Sequence, residues 1–300
     1  MKKFLLNIVV FSALFFIVEK SIYFFIANAP NKEYDKRLEY ILKGEMNKNL
    51  IVLGSSRGAN NIIAEQLQNE TGLTSYNLSY RGADIVFQEF LLKTLLKFNT
   101  KPKKVILIID DIYEFNYEPT LKFRIDRLSP LKKYNYINNE LIRRGNKNVL
   151  SKIFCLSRVN RKDFNLKKNN VLPINKMTAF GSKVILSKGN SKMTYKSTFE
   201  KYSTEFEQKE KLHAFSRIQE LCKSNQIELI FIFPPNYRIF NTSFLNRFNE
   251  LVQQENKIMI YDTLNPVYKN ESYYRDVSHL MKNGAEIFTS EVSTFINNSN

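Results

Sequence analysis

The order of apolar and polar positions divides the chain into an apolar N-terminal stretch and a longer part with alternating strand and helix patterns. The stretch begins with Met1-Lys2-Lys3 and continues as an apolar run from Phe4 to Val18, the Glu19-Lys20 pair and a second apolar piece that ends at Ala27. A helix that crosses a bilayer needs about 17–25 residues, so the whole stretch is long enough. Because it is apolar all round rather than striped, it favours a membrane-spanning helix over a buried amphipathic one.

The apolar stretch predicts a transmembrane signal anchor over residues 1–28, followed by a juxtamembrane linker over residues 29–48. A cleaved signal peptide is the alternative, because Ala27-Asn28-Ala29 has the small-x-small form of a cleavage site. Pro30 would directly follow that cut and disfavours it. Lys2 and Lys3 should stay in the cytoplasm by the positive-inside rule, so we expect a single-pass protein whose C-terminal domain is extracytoplasmic.

After the linker, apolar runs of strand length alternate with segments of helical spacing. The predicted strands are Asn49–Leu53, Thr74–Leu78, Lys104–Ile109, Ile227–Phe233 and Ile258–Tyr261. The predicted helices are Ala59–Asn69, Ile85–Phe98, Phe206–Ser224, Thr242–Glu255 and Ala285–Ile296. This alternation predicts an α/β fold with an open, five-stranded parallel sheet. Ligands bind beyond the carboxyl ends of such strands, so residues that directly follow a strand are the first candidates for a site.

Charge separates the predicted α/β domain, over residues 49–111 and 205–300, from a basic insertion over residues 112–204. The chain has 45 Lys and Arg against 29 Asp and Glu, a net charge of +16. The insertion holds 20 Lys and Arg against 6 Asp and Glu and so carries +14 of that charge. It predicts either a solvated basic surface or a cap that holds an anionic polymer or faces lipid headgroups. The extracytoplasmic placement argues against nucleic acid as the partner.

The cysteine and histidine contents limit the chemistry. Two cysteines exclude a disulfide scaffold and a Cys-based zinc module, and two histidines exclude a His-rich metal centre. We therefore expect neither a metal nor a cofactor. His213 lies in a charged helical segment without the combination of an acidic residue and a nucleophile, and is interpreted as solvated or packed, which leaves His279 as the candidate catalytic histidine.

The first candidate motif is Gly54-Ser55-Ser56-Arg57-Gly58, directly after the first predicted strand. A tight strand-to-helix turn needs small residues, and it presents a hydroxyl at a helix N-terminus whose backbone N–H groups can hold an oxyanion. The spacing also matches the nucleophile elbow of α/β-hydrolases, but that elbow follows several strands, and here only the anchor and linker precede it. No Gly-Lys-Ser/Thr ends the loop, which excludes a P-loop. A βα turn without chemistry is the alternative.

Two further motifs lie next to predicted strands or helices and carry residues suited to the same chemistry. Asp276-Val-Ser-His279 precedes the last predicted helix, and a carboxylate three residues before an imidazole can accept from its Nδ1–H and leave Nε2 to face a nucleophile. Gly82, after the second predicted strand, would let its backbone N–H approach a ligand without interference from a side chain.

In this order, a Ser after the first strand, a Gly after the second and a DxxH before the last helix, the chain resembles the SGNH (GDSL-like) hydrolase superfamily over about two thirds of its length. The resemblance implies a three-layer α/β/α flavodoxin-like fold and a catalytic triad in which Ser56 is the nucleophile, His279 the general base and acid, and Asp276 the orienting carboxylate. It also implies that the Ser56 and Gly82 amides form the oxyanion hole.

One block departs from the family pattern. Where the family usually has Gly-x-Asn-Asp after the third strand, this chain has Asp110 and Asp111, and a carboxylate near a developing oxyanion would repel it unless protonated or turned away. The chain is more similar to the membrane-anchored members without this Asn, such as the D-alanyl transfer protein of teichoic acid assembly and the alginate-type O-acetylation proteins. That similarity implies a membrane-bound O-acyltransferase as a partner.

These features together predict a membrane-anchored, extracytoplasmic serine esterase or O-acyltransferase that acts on acyl esters of an anionic cell-envelope polysaccharide. Arg57, Arg81, Asp111 and Arg275 flank the motifs and are candidate substrate contacts. The alternative is a non-catalytic accessory subunit of the same fold that binds a glycan or the acyltransferase.

Overall fold

A computed structural model of the chain describes residues 1–28, 35–164, 176–189 and 192–298. They form two compact units: Met1–Lys36 with Arg124–Val171, hereafter the N-terminal unit, and Arg37–Phe123 with Leu172–Asn300, hereafter the α/β unit. Parts of the predicted linker (29–48) and of the predicted insertion (112–204) lie outside the described residues. The remaining residues of both segments are divided between the two units.

The α-helices, in chain order, are α1 (Lys2–Ala27), α2 (Arg37–Leu42), α3 (Ser56–Asn61), α4 (Ala64–Thr71), α5 (Ile85–Phe98), α6 (Ile125–Leu128), α7 (Asn135–Arg143), α8 (Lys209–Ser224), α9 (Thr242–Leu251) and α10 (Lys282–Asn298). The strands are β1 (Leu50–Leu53), β2 (Ser75–Asn77), β3 (Lys104–Ile108), β4 (Glu228–Phe233), β5 (Lys257–Ile260), β6 (Tyr274–Asp276) and β7 (His279–Leu280). Short 3-10 helices lie at Asp111–Glu114, Ser129–Leu131, Val149–Lys152, Cys155–Arg158, Arg161–Phe164, Thr204–Phe206, Pro266–Lys269 and Glu271–Tyr273.

Strands β1 to β5 form one sheet in the order β2-β1-β3-β4-β5, and every pairing in it is parallel. The predicted α/β class with a five-stranded parallel sheet is therefore confirmed. Strands β6 and β7 pair antiparallel as a separate two-stranded hairpin.

Helices cover both faces of the sheet, which is why its strands are continuous apolar runs. On one face, alternate residues of β1, β3 and β4 pack with Phe288 and Val292 of α10 and Leu67 of α4. On the other, the Phe231 ring lies 5.1 Å from that of Phe215 in α8 and 5.2 Å from that of Phe248 in α9. The carboxyl ends of β1 and β3 lie side by side, which brings the loops that follow them together.

The helix predicted over Ala59–Asn69 is wrong as a single element, because the structure breaks it into α3 and α4. Ile62 is extended (φ −116°, ψ 124°) and ends α3. Side chains from elsewhere in the α/β unit supply the acceptors at the break: the Ile63 N–H donates to Thr289 Oγ1 (3.1 Å) and the Ala64 N–H to Ser182 Oγ (3.0 Å). The apolar spacing is continuous through the break, so the sequence pattern did not reveal it.

The N-terminal unit contains the apolar helix predicted from the sequence. Residues Lys2–Ile26 of α1 are long and apolar enough to cross a membrane, and few of their side chains are buried against the protein. The described remainder of this unit consists of α6, α7 and four of the 3-10 helices.

Candidate active site

Ser56 is the first residue of α3, directly after the turn that follows β1. The two flanking glycines are required by close packing. A Cβ on Gly54 would lie 3.0 Å from the Cβ of Ile108, and one on Gly58 would lie 2.9 Å from the Cβ of Ser79. Ser55 caps the helix by accepting from the Arg57 N–H (3.2 Å). The Gly-Ser-Ser-Arg-Gly sequence therefore fixes a tight turn that presents Ser56 at a helix N-terminus.

Asp276 and His279 face each other across the β6–β7 hairpin, where they are partners in the strand register. The two intervening residues form the turn, so the three-residue spacing brings the two side chains together. Asp276 Oδ1 also accepts from the backbone N–H groups of Ser278 and His279, both at 3.1 Å. This network fixes the carboxylate beside the imidazole.

The structure brings the three predicted catalytic side chains into one hydrogen-bonded line. His279 Nε2 lies 2.7 Å from Ser56 Oγ, and His279 Nδ1 lies 2.7 Å from Asp276 Oδ1 and 2.9 Å from Oδ2. The His279 and Asp276 side chains are 21% and 48% exposed, so a ligand can reach them. Burial opposes the charge of Asp276, but the hydrogen bond and charge of His279 hold the pKa of this carboxyl below its ordinary value. Such an arrangement can supply a nucleophile, a general base and an orienting carboxylate.

The backbone geometry of Ser56 and Gly82 is compatible with the predicted oxyanion hole. Among the described residues, neither the Ser56 N–H nor the Gly82 N–H has a hydrogen-bond partner. Gly82 adopts a left-handed conformation with φ +71°, which a residue with a side chain rarely takes. Both amides are thus available to an incoming oxygen.

Asp110 and Asp111, which follow the third strand of the sheet, each have hydrogen-bond partners within the protein. Asp110 is buried and accepts from Ser55 Oγ at 2.5 Å. Asp111 adopts a positive φ of +58° and its Oδ2 accepts from Asn236 Nδ2 (3.1 Å) and from the Arg238 guanidinium. The two carboxylates are therefore bonded to other groups of the protein.

A buried pair of carboxyl groups lies behind the Ser56 turn. Glu114 Oε2 accepts from the Asp110 N–H at 2.7 Å, and Glu114 Oε1 has no hydrogen-bond partner among the described residues. Burial, with the charge of Asp110 added, raises the pKa of Glu114 to about 8, and burial also raises the pKa of Asp110. Glu114 is thus protonated at neutral pH, which removes one negative charge from behind the nucleophile.

The arginines predicted to contact substrate have intramolecular partners. Arg57 is buried and donates to the carbonyl oxygens of Ile109 (3.1 Å) and Pro234 (2.6 Å), and burial lowers its pKa. Arg81 Nε and Nη2 donate to Asn60 Oδ1 at 2.9 and 2.7 Å. Arg275 Nη1 donates to the Ser187 carbonyl at 2.7 Å. In this structure Arg57 therefore links the loops after β1, β3 and β4.

Asn61 positions the hairpin that carries His279 and was not predicted from the sequence. Its Oδ1 accepts from the buried Leu280 N–H (3.0 Å) and its Nδ2 donates to the Ser278 carbonyl (3.4 Å), so it joins α3 to the hairpin that carries His279. The Tyr237 N–H makes a second link, to the Val277 carbonyl at 2.7 Å. Neither residue belongs to a recognisable motif, and only the tertiary structure reveals the contacts.

No group of three or more His, Cys, Asp or Glu side chains within the described ranges has the arrangement of a metal site. No protein-family model matches the chain, and no characterised protein matches it at a significant level. The geometry of Ser56, Asp276 and His279 is therefore the main indication of function.

Proposed function

We propose that the protein is a membrane-anchored, extracytoplasmic serine enzyme of the SGNH type that transfers or hydrolyses acyl esters of a cell-envelope polysaccharide. The observation that carries the proposal is the line from Ser56 Oγ through His279 to Asp276, with 2.7 Å at each step. Ser56 and the Asp276–His279 hairpin, more than 200 residues apart in the sequence, meet in the geometry of a serine hydrolase triad.

Each triad residue has a defined task in this reaction. His279 Nε2 accepts the Ser56 proton as Oγ attacks the ester carbonyl carbon, and Asp276 stabilises the imidazolium that forms. When the tetrahedral intermediate collapses, the C–O bond to the alcohol breaks and His279 returns the proton to the alcohol oxygen. Water or a polymer hydroxyl then attacks the acyl-Ser56 ester by the same steps, which gives hydrolysis or acyl transfer.

The Ser56 and Gly82 amides would stabilise the oxyanion of both tetrahedral intermediates. The carboxyl groups that stand in place of the third-block Asn would repel the oxyanion less than the sequence suggests, because the pKa of Glu114 is raised to about 8 and Asp110 is hydrogen-bonded to Ser55. This arrangement limits the negative charge near the developing oxyanion.

The resemblance to SGNH hydrolases gains support from topology. The strand order 2-1-3-4-5 is the one found in flavodoxin-like sheets, with helices on both faces. Ser56 follows β1, Gly82 follows β2, and the DxxH hairpin precedes α10, which is the order of the family's motifs.

The anchor and charge suggest the substrate class. Helix α1 would hold the enzyme at the outer face of the membrane, with Lys2 and Lys3 in the cytoplasm. A basic surface at that location favours an anionic polysaccharide, and a membrane-bound O-acyltransferase would be the partner that supplies or receives the acyl group. The enzyme itself needs no metal or cofactor for these steps.

Ester turnover by the purified full chain tests the proposal. With an aryl acetate or an O-acetylated polysaccharide as substrate, Ser56→Ala and His279→Ala should each abolish turnover, whereas Ser224→Ala, at an exposed serine of α8, should retain it. Full turnover in Ser56→Ala would contradict the proposal. Intact polymer modification in cells that carry Ser56→Ala would favour a non-catalytic accessory subunit that binds a glycan or the acyltransferase.

A further inference from the structure

Helix α1 contains two charged residues whose partners come from a single segment of the N-terminal unit. Glu19 is fully buried, its Oε1 accepts from the Leu156 N–H at 2.7 Å, and its Oε2 lies 3.1 Å from Lys20 Nζ. Lys20 Nζ in turn donates to the Ile153 carbonyl (3.3 Å) and to Cys155 Sγ (3.0 Å). Charged groups in an apolar helix persist only with such partners.

Aromatic contacts continue this interface along α1. The Phe154 ring is stacked on Phe16 with centroids 5.9 Å apart and meets Phe15 edge-on at 6.1 Å. The Arg158 guanidinium lies 5.8 Å from the centre of the Tyr23 ring. One face of α1, over about two helical turns, is therefore covered by the segment from Ile153 to Arg158.

The position of this contact along α1 determines its depth in a bilayer. At 1.5 Å per residue, Phe15 lies about 16 Å from both Phe4 and Ile26, the ends of the apolar stretch. If the hydrocarbon region ended as early as Val18, Phe15 would still lie about 4.5 Å inside it. On either placement, Phe154 contacts a part of α1 that is surrounded by acyl chains.

The surface of the same segment suits that environment. Val149, Leu150 and Ile153 are 63%, 53% and 58% exposed, three large apolar side chains within five residues. Residues 124–164 carry eleven Lys and Arg against three Asp and Glu, which favours anionic lipid headgroups at the membrane surface.

We infer that residues 148–158 are embedded in the outer part of the lipid bilayer beside α1, as a second membrane contact of the protein. Val149, Leu150 and Ile153 contact acyl chains, and the surrounding basic residues contact anionic headgroups. The inference rests on the proposed membrane anchor.

Tryptophan fluorescence tests it directly, because the chain has no Trp and each introduced one is a unique reporter. The full chain carrying Ile153→Trp is reconstituted in vesicles of phosphatidylcholine and phosphatidylglycerol whose acyl chains are brominated. We expect blue-shifted emission that is quenched as strongly as that of Phe11→Trp, within the apolar run of α1. Leu264→Trp is the matched control: Leu264 is 85% exposed but lies between Asp262 and Asn265, and its emission should be unquenched.

The three variants distinguish the second membrane contact, at residues 148–158, from the membrane anchor, α1. If Phe11→Trp is quenched and Ile153→Trp is quenched no more than Leu264→Trp, the second membrane contact is wrong and the anchor stands. If Phe11→Trp is also unquenched, the anchor and the inference are both wrong. Leu150→Trp repeats the measurement at an independent position, so that a folding defect in one variant does not decide the outcome.

Discussion

At the scale of single residues, Asp276 is the group on which the orientation of His279 depends. Both of its oxygens lie within 2.9 Å of His279 Nδ1. Asn in its place would present an N–H to the ring and favour the wrong tautomer, so Asp276→Asn should lower kcat for ester turnover by about 10³–10⁴-fold with little change in KM. Steady-state kinetics measure both values. Asp262→Asn, at an exposed carboxylate, should leave kcat unchanged, and an equal loss in the two variants would contradict the role of Asp276.

The raised pKa of Glu114 predicts that the free energy of unfolding depends on pH. Burial raises its pKa to about 8, so the folded protein keeps a proton that the unfolded chain loses near the ordinary pKa of Glu. The stabilisation is complete below that ordinary pKa and is lost as the pH rises through the folded value. The free energy of unfolding should therefore fall between about pH 4.5 and 8, by up to about 1.4 kcal/mol per pH unit.

Denaturant unfolding of the full chain in detergent, measured across this pH range, checks the Glu114 prediction. Glu114→Gln should make the dependence clearly flatter, because glutamine cannot lose a proton. Glu45→Gln, at an exposed position, should keep the wild-type slope. A Glu114→Gln protein with the same slope as the wild type would show that Glu114 does not carry the proton.

At the scale of elements, the hairpin of β6 and β7 depends on its link to α3. Removing the Asn61 side chain leaves the buried Leu280 N–H without an acceptor, which costs about 1–3 kcal/mol. Asn61→Ala should therefore lower both the free energy of unfolding and kcat, whereas KM should change less. Asn61→Asp keeps the acceptor oxygen and should recover part of kcat; no difference between the two variants would argue against the positioning role.

The sheet elements were predictable from sequence and the hairpin was not. Buried parallel strands must be apolar on both faces, and each of the five strands lies within about one residue of its predicted bounds. The break between α3 and α4 depends on Thr289 and Ser182, both more than 100 residues away, which no local pattern can show. The spacing of Asp276 and His279 suggested their contact, but the antiparallel pairing that produces it is only three residues long on its longer strand.

Of the candidate site, the sequence predicted the residues with short-range signatures. Ser56, Gly82, Asp276 and His279 each lie in a motif whose chemistry requires that residue type. Arg57 and Arg81 were predicted as substrate contacts from proximity in sequence, and the structure gives them carbonyl and side-chain acceptors within the protein. Asn61 and Glu114 act through tertiary contacts and burial, which the sequence does not encode locally.

At the scale of the whole molecule, the contacts of α1 predict that this helix is retained rather than cleaved. Loss of α1 would remove the acceptor of the Leu156 N–H and the aromatic partners of Phe154. We expect protein extracted from membranes to have the intact mass of the 35.3 kDa chain and to resist carbonate extraction. An N-terminus that begins after Ala29 would show instead that the helix is a signal peptide.

The distribution of the net charge of +16 along the chain also bears on the membrane contact. Most of this charge lies between residues 112 and 204, and residues 124–164 of that segment belong to the N-terminal unit together with α1. Residues 124–164 carry +8 of this charge, so much of the basic surface is part of the unit that we propose contacts the membrane. This association favours an anionic surface or polymer at the membrane over a charged site elsewhere in the chain.

Covalent labelling of the full chain with a fluorophosphonate, followed by mass spectrometry of the resulting peptides, tests whether Ser56 is an activated nucleophile. Such a probe reacts with a serine only when a neighbouring base activates it, and His279 Nε2 lies 2.7 Å from Ser56 Oγ. We predict a single adduct on Ser56 that is lost in Ser56→Ala and His279→Ala and kept in Ser224→Ala. A folded wild-type chain that gains no adduct, or gains one on another serine, would contradict the role of Ser56 as the nucleophile.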